Sequence, residues 1–270
     1  RAKVIELILD WGASIERAEA SGNDGEGLLF LASGHGHPQT IDLLLKRGMH
    51  VDQVSTSGAT PLHAAGANGH VAAIVKLLEN GANVHHADTT GATALWKASS
   101  GGQVDAMRAL LDAGAEVDAV DNKERATPLL KASLGGHVQS MELLIERGAA
   151  IDHPDAKGKT PLWHMAAVGG RAGARVLLNH QASTTTAVGK NAITPLLIAC
   201  YHGHAATVEM LLEHGADLEQ TDGQGDAALW VASHSGRVGV VTLLLRRGAD
   251  VDHSRVNGSA PLGIASQNGF

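Results

Sequence analysis

The residues best equipped for chemistry in this chain are its sixteen histidines. Imidazole is the commonest metal ligand and a frequent general base, so a zinc site or a hydrolytic centre is the first reading to test. The histidines fall into registers. His70, His137 and His204 each follow a glycine and stand 67 residues apart, with His37 in the same setting. His86, His153 and His253 share a second register. Side chains that recur with a structural period sit on successive packed helices, about 8–10 Å apart, so two such steps separate them by about 16–20 Å. Zinc holds its ligands at about 2 Å, so such a register cannot chelate. His35-Gly36-His37 and His202-Gly203-His204 are closer pairs, but no cysteine or carboxylate cluster completes them. No metal is expected.

Other chemistry fails in similar ways. Gly223-Gln224-Gly225-Asp226-Ala227-Ala228 matches a loose dinucleotide fingerprint but lacks the strand and long helix that a phosphate cradle needs. Asp88, Asp155 and Asp222 recur just before a turn glycine, where Asp bonds its own backbone; a catalytic pair would not repeat with the fold. No nucleophile elbow, zinc-protease motif or phosphate-binding loop is present. Asn257-Gly258-Ser259 is a glycosylation sequon by pattern only. Cys200, the single cysteine, excludes an internal disulfide and suits a reducing compartment, the cytoplasm or alternatively the nucleus. No catalytic residue and no cofactor is expected.

The elements that position these residues repeat. Leu29, Leu62, Leu95, Leu129, Leu162, Leu196, Leu229 and Leu262 are spaced by 33 or 34 residues. The first seven are followed by aliphatic pairs, Leu44-Leu45 and Leu77-Leu78 among them. A period of this size marks a repeat array, which grows by adding units and works by presenting a long surface. In the unit from Gly58, Thr60 can cap a helix, Pro61 suits its first position, and Asn68-Gly69 stops it near Ala67. Val71, Ile74, Val75 and Leu78 then form the apolar stripe of a second helix, and Gly81 ends it in left-handed geometry.

Gly58-Ala59-Thr60-Pro61-Leu62-His63-Ala64-Ala65, Asn68-Gly69-His70, Val75-Lys76-Leu77-Leu78 and Gly81-Ala82-Asn83-Val84 together resemble the ankyrin repeat. Thr-Pro-Leu returns at Thr127, Thr160 and Thr194, so the resemblance covers essentially the whole chain. It implies an all-α ankyrin-repeat solenoid of helix–turn–helix units with projecting β-hairpin or loop tips. It also implies a structural hydrogen-bonding role for the Gly-His histidines, and a concave protein-binding face. The expected array is a partial repeat at 1–20, full repeats at about 21–53, 54–86, 87–120, 121–153, 154–187, 188–220 and 221–253, and a partial repeat at 254–270.

Departures fall mostly in the tips. A long flexible tip is expected at Glu19–Gly27, and single insertions lie within 121–126 and 184–191. The 154–187 repeat departs most: Met165 replaces a small residue, Gly170 the usual His, and Gln181 the helix-ending Gly, while Gly173 lies inside the second helix. It reads either as tolerated drift or as a hinge. Neither end carries a polar cap, so the chain is expected to be a segment of a longer protein or to pack end to end.

The net charge of −7 and the scarcity of aromatic residues argue against nucleic acid. No apolar run is long enough to span a membrane. The reading is therefore a non-catalytic protein–protein interaction module, a scaffold whose partner is another protein. The alternatives are a structural array that stacks end to end, or the targeting region of a larger enzyme, channel or receptor. Lys157, Lys159 and Lys190 gather in adjacent tips and could steer an acidic partner. The residue after the repeating leucine is Phe30, Trp96, Trp163 and Trp230 in alternate repeats. Residues four apart share a helix face, which adds His234 to Trp230, Leu134 to Leu130, and Ile193 and Tyr201 to Leu197. These side chains form a candidate aromatic ladder for the partner. The opposing reading is that each indole tucks sideways against its neighbouring repeat and replaces the histidine contact.

Overall fold

The computed structural model describes residues 2–14 and 26–270. Most of the long tip expected at Glu19–Gly27, and part of the 1–20 partial repeat, lie outside them. Sixteen helices are present among the described residues. A compact unit spans Arg1–Ala149 and a second spans Ala150–Phe270.

In the first unit the helices are α1 (Ala2–Asp10), α2 (Leu28–Gly34), α3 (Pro38–Lys46), α4 (Pro61–Ala67), α5 (Val71–Glu79), α6 (Ala94–Ser100), α7 (Val104–Asp112), α8 (Pro128–Leu134) and α9 (Val138–Glu146). The short helices α2, α4, α6 and α8 pack in one row, and α3, α5, α7 and α9 in a second, with α1 against α3. The second unit contains α10 (Pro161–Val168), α11 (Arg171–Asn179), α12 (Pro195–His202), α13 (Ala205–Glu213), α14 (Ala228–His234), α15 (Val238–Arg246) and α16 (Pro261–Gln267). There α10, α12, α14 and α16 form one row and α11, α13 and α15 the other.

The two leucine series supply the core of both units. Leu29, Leu62, Leu95 and Leu129 are fully buried with Leu44, Leu77, Leu110 and Leu144; Leu162 and Leu196 are buried with Leu177, Leu211 and Leu244. Short helices need defined ends, and threonine supplies them. The hydroxyls of Thr93, Thr127, Thr160 and Thr194 accept hydrogen bonds from the N–H three residues on, at 3.2–3.3 Å. Each such cap contributes about 1 kcal/mol. Gly81, Gly114, Gly148, Gly215 and Gly248 follow the second helices at φ 83–89°. Gln181 occupies the same turn at φ 64°, left-handed as its glycine phase requires.

Hydrogen bonds that leave one repeat and end in the next tie the rows together. His63 Nε2–H donates to the Ala92 carbonyl at 2.9 Å, so Nδ1 is left to accept from Thr60. Trp96 Nε1 donates to Ala126 O at 2.9 Å and Trp163 Nε1 to Ile193 O at 3.2 Å, the same carbonyl in phase. Both tips that receive an indole are one residue longer. Three residues separate Asp88 from Ala92 in the tip that receives His63, whereas four separate Asp121 from Ala126 and Val188 from Ile193. The shorter loops turn through a glycine, Gly91 at φ 82° for example; the longer ones place Arg125 and Ala192 at φ 52° and 50°. Trp230 precedes a three-residue tip, and its buried indole N–H has no hydrogen-bond partner among the described residues. In the opposite direction, His70 donates to Gly34 O, His137 to Ser100 O and His204 to Ala167 O, at 2.9–3.1 Å. Arg237 makes the equivalent bond to Tyr201 O, and Gly170 has no side chain to make one.

Three outcomes follow from this bonding. Trp96→Phe removes a made hydrogen bond and should cost about 1 kcal/mol, whereas Trp230→Phe removes an unpaired buried donor and should be neutral or stabilising. Equal losses in urea unfolding of the two variants would contradict the assignment. Gln181→Gly should relieve left-handed strain and stabilise by about 0.5–1 kcal/mol; unchanged amide exchange through α11 would contradict it.

The third outcome concerns pH. Burial holds the pKa of His63 below its ordinary 6.5, outweighing the Ala92 hydrogen bond and the Asp88 carboxylate, which favour the cation. Below about pH 6.5 the unfolded chain takes up a proton that folded His63 refuses, so its contribution to stability falls as pH drops toward the folded value. His63→Leu, the residue type at positions 130 and 197, should flatten the stability–pH slope between pH 7.5 and 5.5. Identical slopes in the two proteins would contradict this.

Candidate functional site

The tips and first helices of the second unit enclose a recess of about 410 Å³. Its apolar wall comes from α12 and the preceding tip, through Ile193, Leu197, Ile198 and Tyr201, and from α14, through Trp230 and Val231. Its polar rim is Asp222, Gln224 and Asp226 on one tip, Arg255 on the next, and His234 at the end of α14. The wall is set by helix periodicity: Ile193, Leu197 and Tyr201 are four apart, as are Trp230 and His234, so each set shares a face.

Two side chains pack on the aromatic centre of the site. The His234 imidazole stacks on Trp230 at 5.1 Å with planes 8° apart, and the Arg255 guanidinium lies 4.5 Å from the ring centre. Arg255 Nε stands 2.9 Å from Asp226 Oδ1, close enough for an ion pair but not aligned as a hydrogen bond. Burial and the neighbouring Asp222 push the Asp226 carboxyl above the usual carboxylate range, while Arg255 and His234 act the other way. Asp222 Oδ1 accepts from the N–H groups of Gln224 and Asp226, at 2.7 and 3.0 Å, which fixes the tip.

Of the residues expected to meet a partner, the structure gathers Ile193, Tyr201, Trp230 and His234 around this recess. Tyr201 and His234 are exposed and Ile193 is half-buried. Trp163 and Trp230 are only 8% and 6% exposed. The indole N–H groups of Trp96 and Trp163 bond to carbonyls of the next repeat. Lys159 Nζ lies 4.0 Å from the Trp163 ring centre, and exposed Lys157 and Lys190 occupy the adjoining tips. In the first unit Phe30 and Trp96 are half-buried and Leu134 is 45% exposed. Lys131 Nζ lies 4.9 Å from the Trp96 ring centre.

The sequence reading missed Asp222, Gln224, Asp226 and Arg255 as one rim. A signal was available: Arg255 stands in the phase of the recurrent tip aspartates Asp88, Asp155 and Asp222, one repeat beyond the Asp226 it pairs with.

Among the described residues no three His, Cys, Asp or Glu side chains converge on a point where an ion could sit. Cys200 is fully buried and its thiol is pushed far up by burial, so it is not a nucleophile at neutral pH. No helix among the described residues is long and apolar enough to cross a membrane.

The comparisons with known proteins agree with the fold. No curated protein sequence matches the chain. Among solved structures, the crystal structure of the human ASB11 ankyrin repeat domain is similar, with a TM-score of 0.72 and 29% sequence identity. The match covers 83% of this chain and 99% of that one. The family model for ankyrin repeats in three copies matches residues 2–88, 29–121, 73–155, 113–188 and 183–255. Ankyrin repeats are, as a family, protein–protein interaction modules that are typically non-catalytic. With nearly the whole chain matched by that family model, this protein belongs to the ankyrin repeat family.

Proposed function

We propose that this chain is a non-catalytic binding module that holds a segment of a partner protein on the face built by its first helices and tips, the concave face of the family's arrangement. The recess formed by Ile193, Tyr201, Trp230 and His234 carries the reading. It is apolar within, polar at its rim, and backed by an aromatic ring that His234 and Arg255 contact. Preorganised recesses of this kind bind well because little side-chain entropy is lost on association. Tyr201, which is 48% exposed, is the contact residue, and aromatic side chains of this type dominate binding hot spots. The buried indoles act indirectly by fixing the wall. Lys157, Lys159 and Lys190 steer an acidic segment toward the same unit. Phe30, Trp96 and Leu134 are proposed as a separate contact patch of the first unit. A reducing compartment, cytoplasm or nucleus, suits a chain whose single cysteine is a buried free thiol.

Selection of peptides from a random displayed library on the full chain, followed by anisotropy titration, tests this. Tyr201→Ala should weaken the selected peptides at least about tenfold, or 1.4 kcal/mol, with the urea midpoint unchanged. Trp163→Ala should instead destabilise by about 3–5 kcal/mol, since it empties a packed site. Full affinity in Tyr201→Ala for every selected peptide would remove the recess from the binding surface.

A further inference from the structure

We infer that the partner segment is extended and carries a bulky apolar side chain and an acidic side chain about three residues apart. The apolar group occupies the recess at Ile193, Tyr201 and Trp230, and the acidic group meets Lys157, Lys159 and Lys190. This rests on the binding reading above and adds the chemistry of the occupant.

Charge is the first support. The other cations that lie over tryptophans have carboxylate partners: Lys97 with Asp88 at 2.9 Å, Lys131 with Glu124 at 2.8 Å, and Arg255 with Asp226 at 2.9 Å. Lys159 lies over Trp163 with no carboxylate at ion-pair distance among the described residues. The nearby Asp155 is already engaged by His164 at 2.9 Å and by the N–H groups of Lys157 and Lys159. Lys157 and Lys190 are exposed. Among the described residues none of these three ammonium groups has a carboxylate at ion-pair distance, in a protein of net charge −7. The rim of the recess carries Asp222 beside the Asp226–Arg255 ion pair, so an anionic group is better matched on the lysine side.

Continuity and spacing supply the rest. Lys159 rests on Trp163, the Trp163 indole bonds to the Ile193 carbonyl, and Ile193 lines the recess. The lysine contact is therefore one repeat from the near wall of the recess, at Ile193. Adjacent packed helices are about 8–10 Å apart, and an extended chain advances about 3.3 Å per residue, so about three residues span the gap.

The test uses the full chain and synthetic peptides of Gly/Ser background, each carrying one Trp or Leu and one Glu at separations of one to six residues. A matching set carries Lys in place of Glu. Anisotropy titration at low salt should find tightest binding at a separation near three, at least about tenfold above the Lys analogue and weakened by added salt. Tyr201→Ala should weaken both sets. Reversal of the exposed pair, Lys157→Glu with Lys190→Glu, should lower or invert the preference for Glu without touching the recess. Preference for Lys peptides, or no dependence on separation, overturns the inference while the binding reading stands. Failure of every peptide to bind overturns both. A dimer seen by light scattering that dissociates in Tyr201→Ala makes a second copy the occupant, and also overturns the inference.

Discussion

Neighbouring repeats depend on one constraint: the carbonyls at the tips and first-helix ends that face the next repeat must find donors. The protein satisfies it with side chains that cross from repeat to repeat. His63, Trp96 and Trp163 reach forward to the next tip, and His70, His137, His204 and Arg237 reach back to the end of the preceding first helix. Each bond contributes about 1 kcal/mol, and where the pair is buried, as at His63 and Ala92, a missing one costs more, because an unpaired buried polar group keeps its full desolvation penalty. The stack is in this sense a chain of nearest-neighbour couplings. The identity of one residue after each leucine helps decide how well the next tip is held.

That residue also links stability to the binding surface. An indole fills more space than an imidazole, and the two tips that accept an indole hydrogen bond are the two that carry an extra residue and turn through Arg125 and Ala192. The longer tip after Trp163 contributes Ile193 to the recess wall. The shorter tip after Trp230 leaves that indole unpaired and brings Arg255 over its face instead. The recess therefore sits where the regular pattern of crossing hydrogen bonds breaks.

Much of this was legible in the residues. The leucine period located both rows of helices, the Thr-Pro pairs located helix starts, and the glycine phase made Gln181 a left-handed residue. Gly-His marked the backward bonds, because a donor that recurs at a fixed phase meets an acceptor at a fixed phase. The direction of the indoles was not legible, since residues four apart share a helix face whether a ring leans outward or sideways. The insertions at 121–126 and 184–191 were visible as length changes, but their connection with Trp96 and Trp163 needs the carbonyl positions. The ion pair of Arg255 with Asp226 joins two tips 29 residues apart, and helical periodicity has no bearing on tip-to-tip pairing. The lysine cluster was legible as charge. Its lack of counter-charge was not, because that depends on where Asp155 points.

The central claim is that a partner segment occupies the recess of the second unit, with packed indoles as its support. Amide hydrogen exchange of the full chain, with and without a saturating selected peptide, tests it most directly. The account predicts new protection in residues 188–202 and 222–235, with the second helices α11, α13 and α15 unchanged. Protection confined to those second helices, or spread evenly over both units, would contradict it.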